Sequence, residues 1–153
     1  MSRVTDHVRL LAGTKASGQP VYEMVPARRA EGDCWEILGT PAVAEGCATA
    51  DVVQVAAGGE FTVLRRGGNV GVVSYAQSGQ DTSAAADRLR TAVGELGDVA
   101  VDPAGRWIVA TLPVAVGFDR IERLFGEWRA TTGAEWSYVN VYDEQGGPLD
   151  WWA

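Results

Sequence analysis

The sequence predicts an α+β fold. It combines a β-rich, small barrel-like N-terminal lobe over residues 1–76 with a ferredoxin-like β-α-β-β-α-β lobe over residues 70–153. Three observations carry this reading. Up to about Ala76 the chain is a series of short β-branched and aromatic runs divided by turn signals at close spacing, the texture of a small barrel or strongly bent sheet. After Ser78 the apolar period becomes helical, twice. A hairpin lies between the two helical runs and one more strand comes after them, so the order from Val70 is the split unit of a ferredoxin-like sandwich. Residues 70–76 serve both lobes and make them one compact unit.

Residues 7–11 read as a first strand, 14–20 as a polar hairpin connection, 21–25 as a second strand and 28–33 as a charged loop. The stretch 34–55 is the one around which the rest of the chain is organised. Its apolar run 35–38 breaks at Gly39, Thr40 and Pro41 and resumes after Gly46 at Ala50 and Asp51, with a β-branched run to Val55. Pro41 removes a ladder donor and Gly46 permits unusual dihedrals, so the chain leaves the sheet here and re-enters at Asp51. The Asp51 side chain is expected to bond turn amides and fix the crossing. Pro41, Gly46 and Asp51 are therefore assigned structural roles.

A turn around Gly58 and Gly59 leads to a strand at 61–65, and Arg66-Gly67-Gly68-Asn69 turns the chain into the strand 70–76. Asp81 or Ser83 then caps a helix whose Ala85, Leu89, Ala92, Val93 and Leu96 recur at helical spacing until Gly97. Strands 99–101 and 107–112 flank Asp102-Pro103-Ala104-Gly105, a turn with Pro and Gly in favoured places. Gly117 precedes a second helix with one apolar stripe, Phe118, Ile121, Leu124, Phe125 and Trp128, closed by Gly133. The last strand is expected at 136–142, with a short tail beyond it that carries two adjacent tryptophans.

The order of a strand, a Pro, a small-residue link ending in Gly and then Asp-Val-Val resembles the bacterial family catalogued as domain of unknown function four-two-six-five. The resemblance rests on Thr40-Pro41, Glu45-Gly46 and Asp51-Val52-Val53, and extends to the Arg66–Asn69 turn and loosely over most of the chain. Ala50 stands where that family usually has Gly before the Asp, and Ala42 and Val43 replace its aromatic residues after the Pro. The resemblance implies a fold; the family brings no established activity or catalytic residues.

With 153 residues, 46% of them hydrophobic, the chain is long enough for a real core. Its net charge of −7 opposes binding to nucleic acid or anionic membrane and favours a partner with a basic surface. The start carries no signal-peptide run and no stretch approaches a membrane span, so the expected location is cytoplasmic. Cys34 and Cys47 fit no metal spacing and are expected to be reduced; neither metal nor cofactor is predicted.

His7, the only histidine, reads as solvent-facing, and residues 79–83 as helix capping rather than a phosphate loop. Glu31, Asp33, Glu36 and Glu45 read as a solvated surface, and no catalytic residue is assigned. The last strand is more informative. If Ser137, Val139 and Val141 meet the helices, then Trp136, Tyr138, Asn140 and Tyr142 lie on the helix-free face. Trp151 and Trp152 either fold back over that face or stay mobile as partner anchors.

The expected site is thus a partner-binding surface of Trp136, Tyr138, Tyr142, Asp143, Glu144, Asp150, Trp151 and Trp152. The function it suggests is that of a non-enzymatic cytosolic protein-binding protein, in form like immunity proteins that neutralise basic toxins. The alternatives are a small-molecule sensor with a cleft between the lobes lined by Trp and Tyr, or an enzyme using convergent carboxylates.

Overall fold

A computed structural model describes residues 6–153 and shows an α+β chain with two antiparallel sheets and two helices. The first sheet is built from β1 (Asp6–Thr14), β2 (Pro20–Arg29), β3 (Cys34–Ile37), β4 (Val52–Val55) and β5 (Phe61–Arg65), paired in chain order. Alternation places Val8, Leu10, Val25, Ala27, Ile37 and Val53 on one face, where they form a buried cluster with Ala44 and Cys47. The other face is open, with Met24 and Leu64 exposed.

The small barrel expected for this lobe does not close: β1 and β5 are the two edges of the sheet. Leu11 donates its N–H to the Gly59 carbonyl at 2.9 Å, which draws the β4–β5 turn onto β1, but no ladder forms between them. Closure needs a register stagger carried through every strand. Here β1 and β2 are long, whereas β3 and β4 have four residues each and end before the edges can meet.

The second sheet contains β6 (Asn69–Tyr75), β7 (Asp98–Val101), β8 (Trp107–Pro113) and β9 (Ser137–Tyr138) in the order β7-β8-β6-β9. Helix α1 (Thr82–Val93) connects β6 to β7, and α2 (Phe118–Thr132) connects β8 to β9. The Asp81 carboxylate accepts the Ala84 N–H at 3.0 Å and starts α1. That helix ends at Gly94, one turn before the Gly97 stop expected from the sequence, and a short 3-10 turn fills the difference. Gly133, at φ 75°, closes α2 by donating to the Arg129 carbonyl. Val70, Val72, Ile108 and Leu112 of the sheet meet Leu89, Val93, Ile121, Phe125 and Trp128 of the helices in the largest buried cluster. No helix of the described residues is long and apolar enough to cross a membrane.

The link from β3 to β4 lies between the two sheets. Glu23 of β2 accepts the N–H groups of Ala42, Val43 and Ala44 at 2.8–2.9 Å, anchoring the link to the first sheet. Pro41 is buried, and Gly46, at φ 111°, donates to the Val139 carbonyl at 2.9 Å. Ala42 packs on Val73, Val109 and Val139, covering the helix-free face of the second sheet.

The last strand is shorter than predicted and turned over. Only Ser137 and Tyr138 pair with β6, opposite Val73 and Val72. Beyond them the Asn140 side chain replaces the ladder: its Oδ1 accepts the Gly71 N–H at 2.9 Å and its Nδ2 donates to the Asn69 carbonyl at 2.8 Å. With Tyr138 opposite Val72, Trp136 and Tyr138 pack on the helix side and Val139 on the helix-free side, the reverse of the expectation. After the Asn140 side chain takes the backbone partners of β6 the alternation breaks, and Val141 meets the helix-side cluster as expected.

Backbone strain gathers at the end of the link. Ala50 has φ 75°, a left-handed conformation that costs an L-residue about 1–2 kcal/mol. It cannot relax, because a Cβ on Gly67 would lie 2.5 Å from Ala50, so the two backbones are in close contact. Ala50→Gly should therefore stabilise the chain by up to about 1 kcal/mol, the relieved strain being partly offset by unfolded-state entropy. A urea midpoint that falls on this substitution would show that Ala50 is not strained.

Candidate functional site

The partner-binding residues expected from the sequence converge on one aromatic surface. A chain of ring contacts leads from the core outward: Trp128 meets Phe125 at 6.1 Å between centroids, Phe125 meets Trp136 at 5.4 Å, and Trp136 meets Tyr138 edge-on at 5.3 Å. From Tyr138 it branches to Tyr142 at 6.1 Å and to Phe118 at 5.8 Å, and Phe118 continues to Trp152 at 5.0 Å and Trp151 beyond. Edge-to-face pairs of this kind add to the gain from area alone.

The tail folds back, the first of its two possible fates, but onto the helix side of the sheet. Asp143 Oδ1 accepts the N–H groups of Gln145 and Gly147, and Gly146 at φ 83° lets the turn close. Tyr142 then bridges to Pro148, and Leu149 donates to the Val141 carbonyl at 2.8 Å. Asp150 adopts φ 58°, reversing the chain so that Trp151 Nε1 donates to the Asn140 carbonyl at 2.8 Å. The Arg66 guanidinium lies 5.5 Å from the Trp151 ring centre. Deleting residues from Gly146 onward should cost about 2 kcal/mol, since two half-buried indoles leave Phe118 and the helix-side cluster, and apolar dye binding should rise. An unchanged melting temperature would mean that the tail contributes nothing to stability.

The rim is acidic. Glu144 and Asp150 are exposed, Asp143 is partly used by its turn, and Glu122 accepts the Tyr138 hydroxyl at 2.8 Å. Burial and the facing Glu122 carboxylate push the Tyr138 phenol well above its usual range, so it holds its proton at neutral pH. The patch offers ring faces and negative charge, with Tyr142 48% exposed at its outer end.

Phe118, Glu122 and Arg66 were not among the residues expected here. Phe118 read only as part of the helix stripe. Its i+4 spacing to Glu122 was a usable signal, since it puts the two on one helix face.

Between the lobes lies a cleft of about 420 Å³, lined by Met24, Thr40, Ala100 and Trp107 with the carboxylates Glu23, Asp98 and Asp102. A tryptophan is present, as the cleft reading expected, but no tyrosine. Two of the three carboxylates are already engaged: Glu23 holds the link amides, and Asp102 accepts from Arg106 Nε at 2.7 Å. The Arg106 guanidinium holds the Asp102 carboxyl below the usual carboxylate range, the opposite of a poised general acid.

His7 is exposed on β1. Cys34 and Cys47 are both free thiols, and burial pushes the Cys47 thiol well up. Among the described residues no three His, Cys, Asp or Glu side chains come together in a metal-binding group.

No protein-family model matches the chain, and no curated protein matches its sequence. The fold is similar to a solved structure described as the novel crystal structure of a hypothetical protein from Neisseria gonorrhoeae. The TM-score is 0.62 at 14% identity, over 92% of this chain and 96% of that one. At that identity the likeness concerns the fold alone.

Proposed function

We propose that this chain is a non-enzymatic, cytoplasmic protein-binding protein that takes a basic partner on the aromatic surface beside β9. The single observation that supports it most is the continuous run of rings ending in an exposed Tyr142 and two half-buried indoles among carboxylates. Rigid aromatic rings supply contact area at low entropic cost, and acidic neighbours steer a basic surface towards them. An immunity-type inhibitor of a basic toxin is the narrower form of this reading. In the same reading the C-terminal lobe is a ferredoxin-like sandwich, supported by the order β9-β6-β8-β7 and the two helical connections. Kinship with the domain-of-unknown-function family is supported by the left-handed Ala50, a place where glycine is the easier residue.

The test is capture on the immobilised full chain beside a Tyr142→Ala, Trp152→Ala variant. A basic protein held by the wild type, released by salt and at least tenfold weaker on the variant would fit the loss of two hot-spot rings. Equal retention by both forms would remove the site. The cleft between the lobes supports the second reading, a small-molecule sensor, because Trp107 and Met24 give it apolar walls. A metabolite that raises the melting temperature of wild type but not of Trp107→Ala would favour that reading over the first.

A further inference from the structure

A larger concavity than the cleft lies elsewhere, along the outer seam of α1 and α2. It measures about 660 Å³, and its floor is apolar, formed by Ala92, Leu96, Leu124 and Trp128. Its walls carry Arg88, Arg120 and Arg123 against a single carboxylate, Glu127.

These arginines differ from most others in the chain. Arg28, Arg66, Arg90, Arg106 and Arg129 each meet a carboxylate within 4.0 Å, and Arg9 and Arg29 lie over aromatic rings. Among the described residues, only Arg65, Arg88, Arg120 and Arg123 have neither kind of neighbour, and the last three line this one groove. In a chain of net charge −7, unpaired guanidiniums gathered in one place call for an explanation.

Helix stability supplies only part of one. Arg120 is the third residue of α2, where the helix dipole disfavours a cation, and although Asp119 and Glu127 stand four residues to either side of Arg123, neither carboxylate comes within 4.0 Å of it. The two ends of the groove differ. Trp128 Nε1 donates to the Ala85 carbonyl at 2.9 Å, which sets the start of α1 against the end of α2. Arg88 therefore shares its end with Glu127 and Thr131, while Arg120 and Arg123 stand at the other end beside Leu96.

From this geometry we infer that the groove binds an amphipathic anion, a phosphate or carboxylate head between Arg120 and Arg123 with an apolar body along Leu96, Leu124 and Trp128. Guanidinium forks match the oxygens of such a head, and the floor offers nothing to a hydrated ion. The site is independent of the aromatic surface beside β9.

Titration calorimetry of the full chain with octyl phosphate, below its micellar concentration, tests the assignment. Saturable binding is expected, weakening as salt rises, with inorganic phosphate about tenfold weaker or worse for want of an apolar body. Arg120→Gln with Arg123→Gln should cost about tenfold or more through lost charge-assisted bonds, while Arg65→Gln and Tyr142→Ala leave affinity unchanged. The four side chains replaced are exposed, and circular dichroism confirms that each variant remains folded. The assignment is overturned by any of four results: no saturable binding, full affinity in the double variant, equal binding of octyltrimethylammonium, or inorganic phosphate binding as well as octyl phosphate. The last would mean a surface anion contact without an amphipathic site.

Discussion

Trp128→Ala should lower stability by about 4–5 kcal/mol, the largest single effect expected in this chain. Trp128 is 4% exposed and fills the space where α2 crosses α1 over the second sheet. Its removal leaves a cavity bounded by Phe125, whose ring it meets edge-on, and leaves the Ala85 carbonyl without its indole donor. The cavity and the lost ring account for most of the cost, and the hydrogen bond adds about 1 kcal/mol. Trp128→Phe separates the two contributions, because it keeps much of the ring and loses the donor; it should cost well under half as much. Urea unfolding with the slope unchanged is the measurement. A wild-type midpoint for Trp128→Ala would show that the helices are held by something other than this contact. The substitution should also weaken octyl phosphate in the helix groove, whose floor Trp128 completes.

The second helix illustrates what the residues make legible. Phe118, Ile121, Phe125 and Trp128 repeat at the helical period, and Ile121, Phe125 and Trp128 are the side chains α2 buries. Asp81 as a cap and Asp102–Gly105 as a turn are equally local signals, and each acts within a few residues of itself. The misread parts depend on distant partners. Residues 136–142 alternate well enough for a long strand, yet Asn140 reaches residues 69 and 71 with its side chain and ends the ladder. Nothing in the alternation reveals that an amide will compete with the backbone. Likewise the five strands have barrel-like spacing, while closure depends on strand lengths that turn chemistry alone does not set. The aromatic tail was legible as a set of residues but not as a place, because its side of the sheet follows the distant register of Tyr138 opposite Val72, a member of the helix-side cluster. The arginine groove was not legible at all, since an unpaired charge is defined by the pairing of every other charge.

Asp51→Ala should cost about 3 kcal/mol, because one buried carboxylate closes several connections at once. Asp51 is 1% exposed; its Oδ2 accepts the Ala48 N–H at 3.0 Å and its Oδ1 the Gly67 N–H at 2.7 Å. Arg66 Nη1 stands 3.4 Å from Oδ2 and donates to the Gly46 carbonyl at 2.8 Å. The same guanidinium lies over Trp151, so the link between the sheets, the β5–β6 turn and the C-terminal tail meet at one side chain. Alanine orphans two amides and frees Arg66, so the tryptophan emission of the folded variant should shift as well. Burial pushes the Asp51 carboxyl up, against the two amides and Arg66, which pull it down. In the window between the unfolded value near ~4 and the raised folded value, the native state binds more protons than the unfolded chain. Stability from this group is therefore fully present below the unfolded value and is lost as pH rises through the folded one. Asn cannot titrate, and the other carboxylates cancel in a difference between wild type and Asp51→Asn. The stability gap between those two should be widest in acid and shrink as pH rises through the window. A gap that grows with pH would mean that the amides and Arg66 outweigh burial, and that the carboxylate is held ionised.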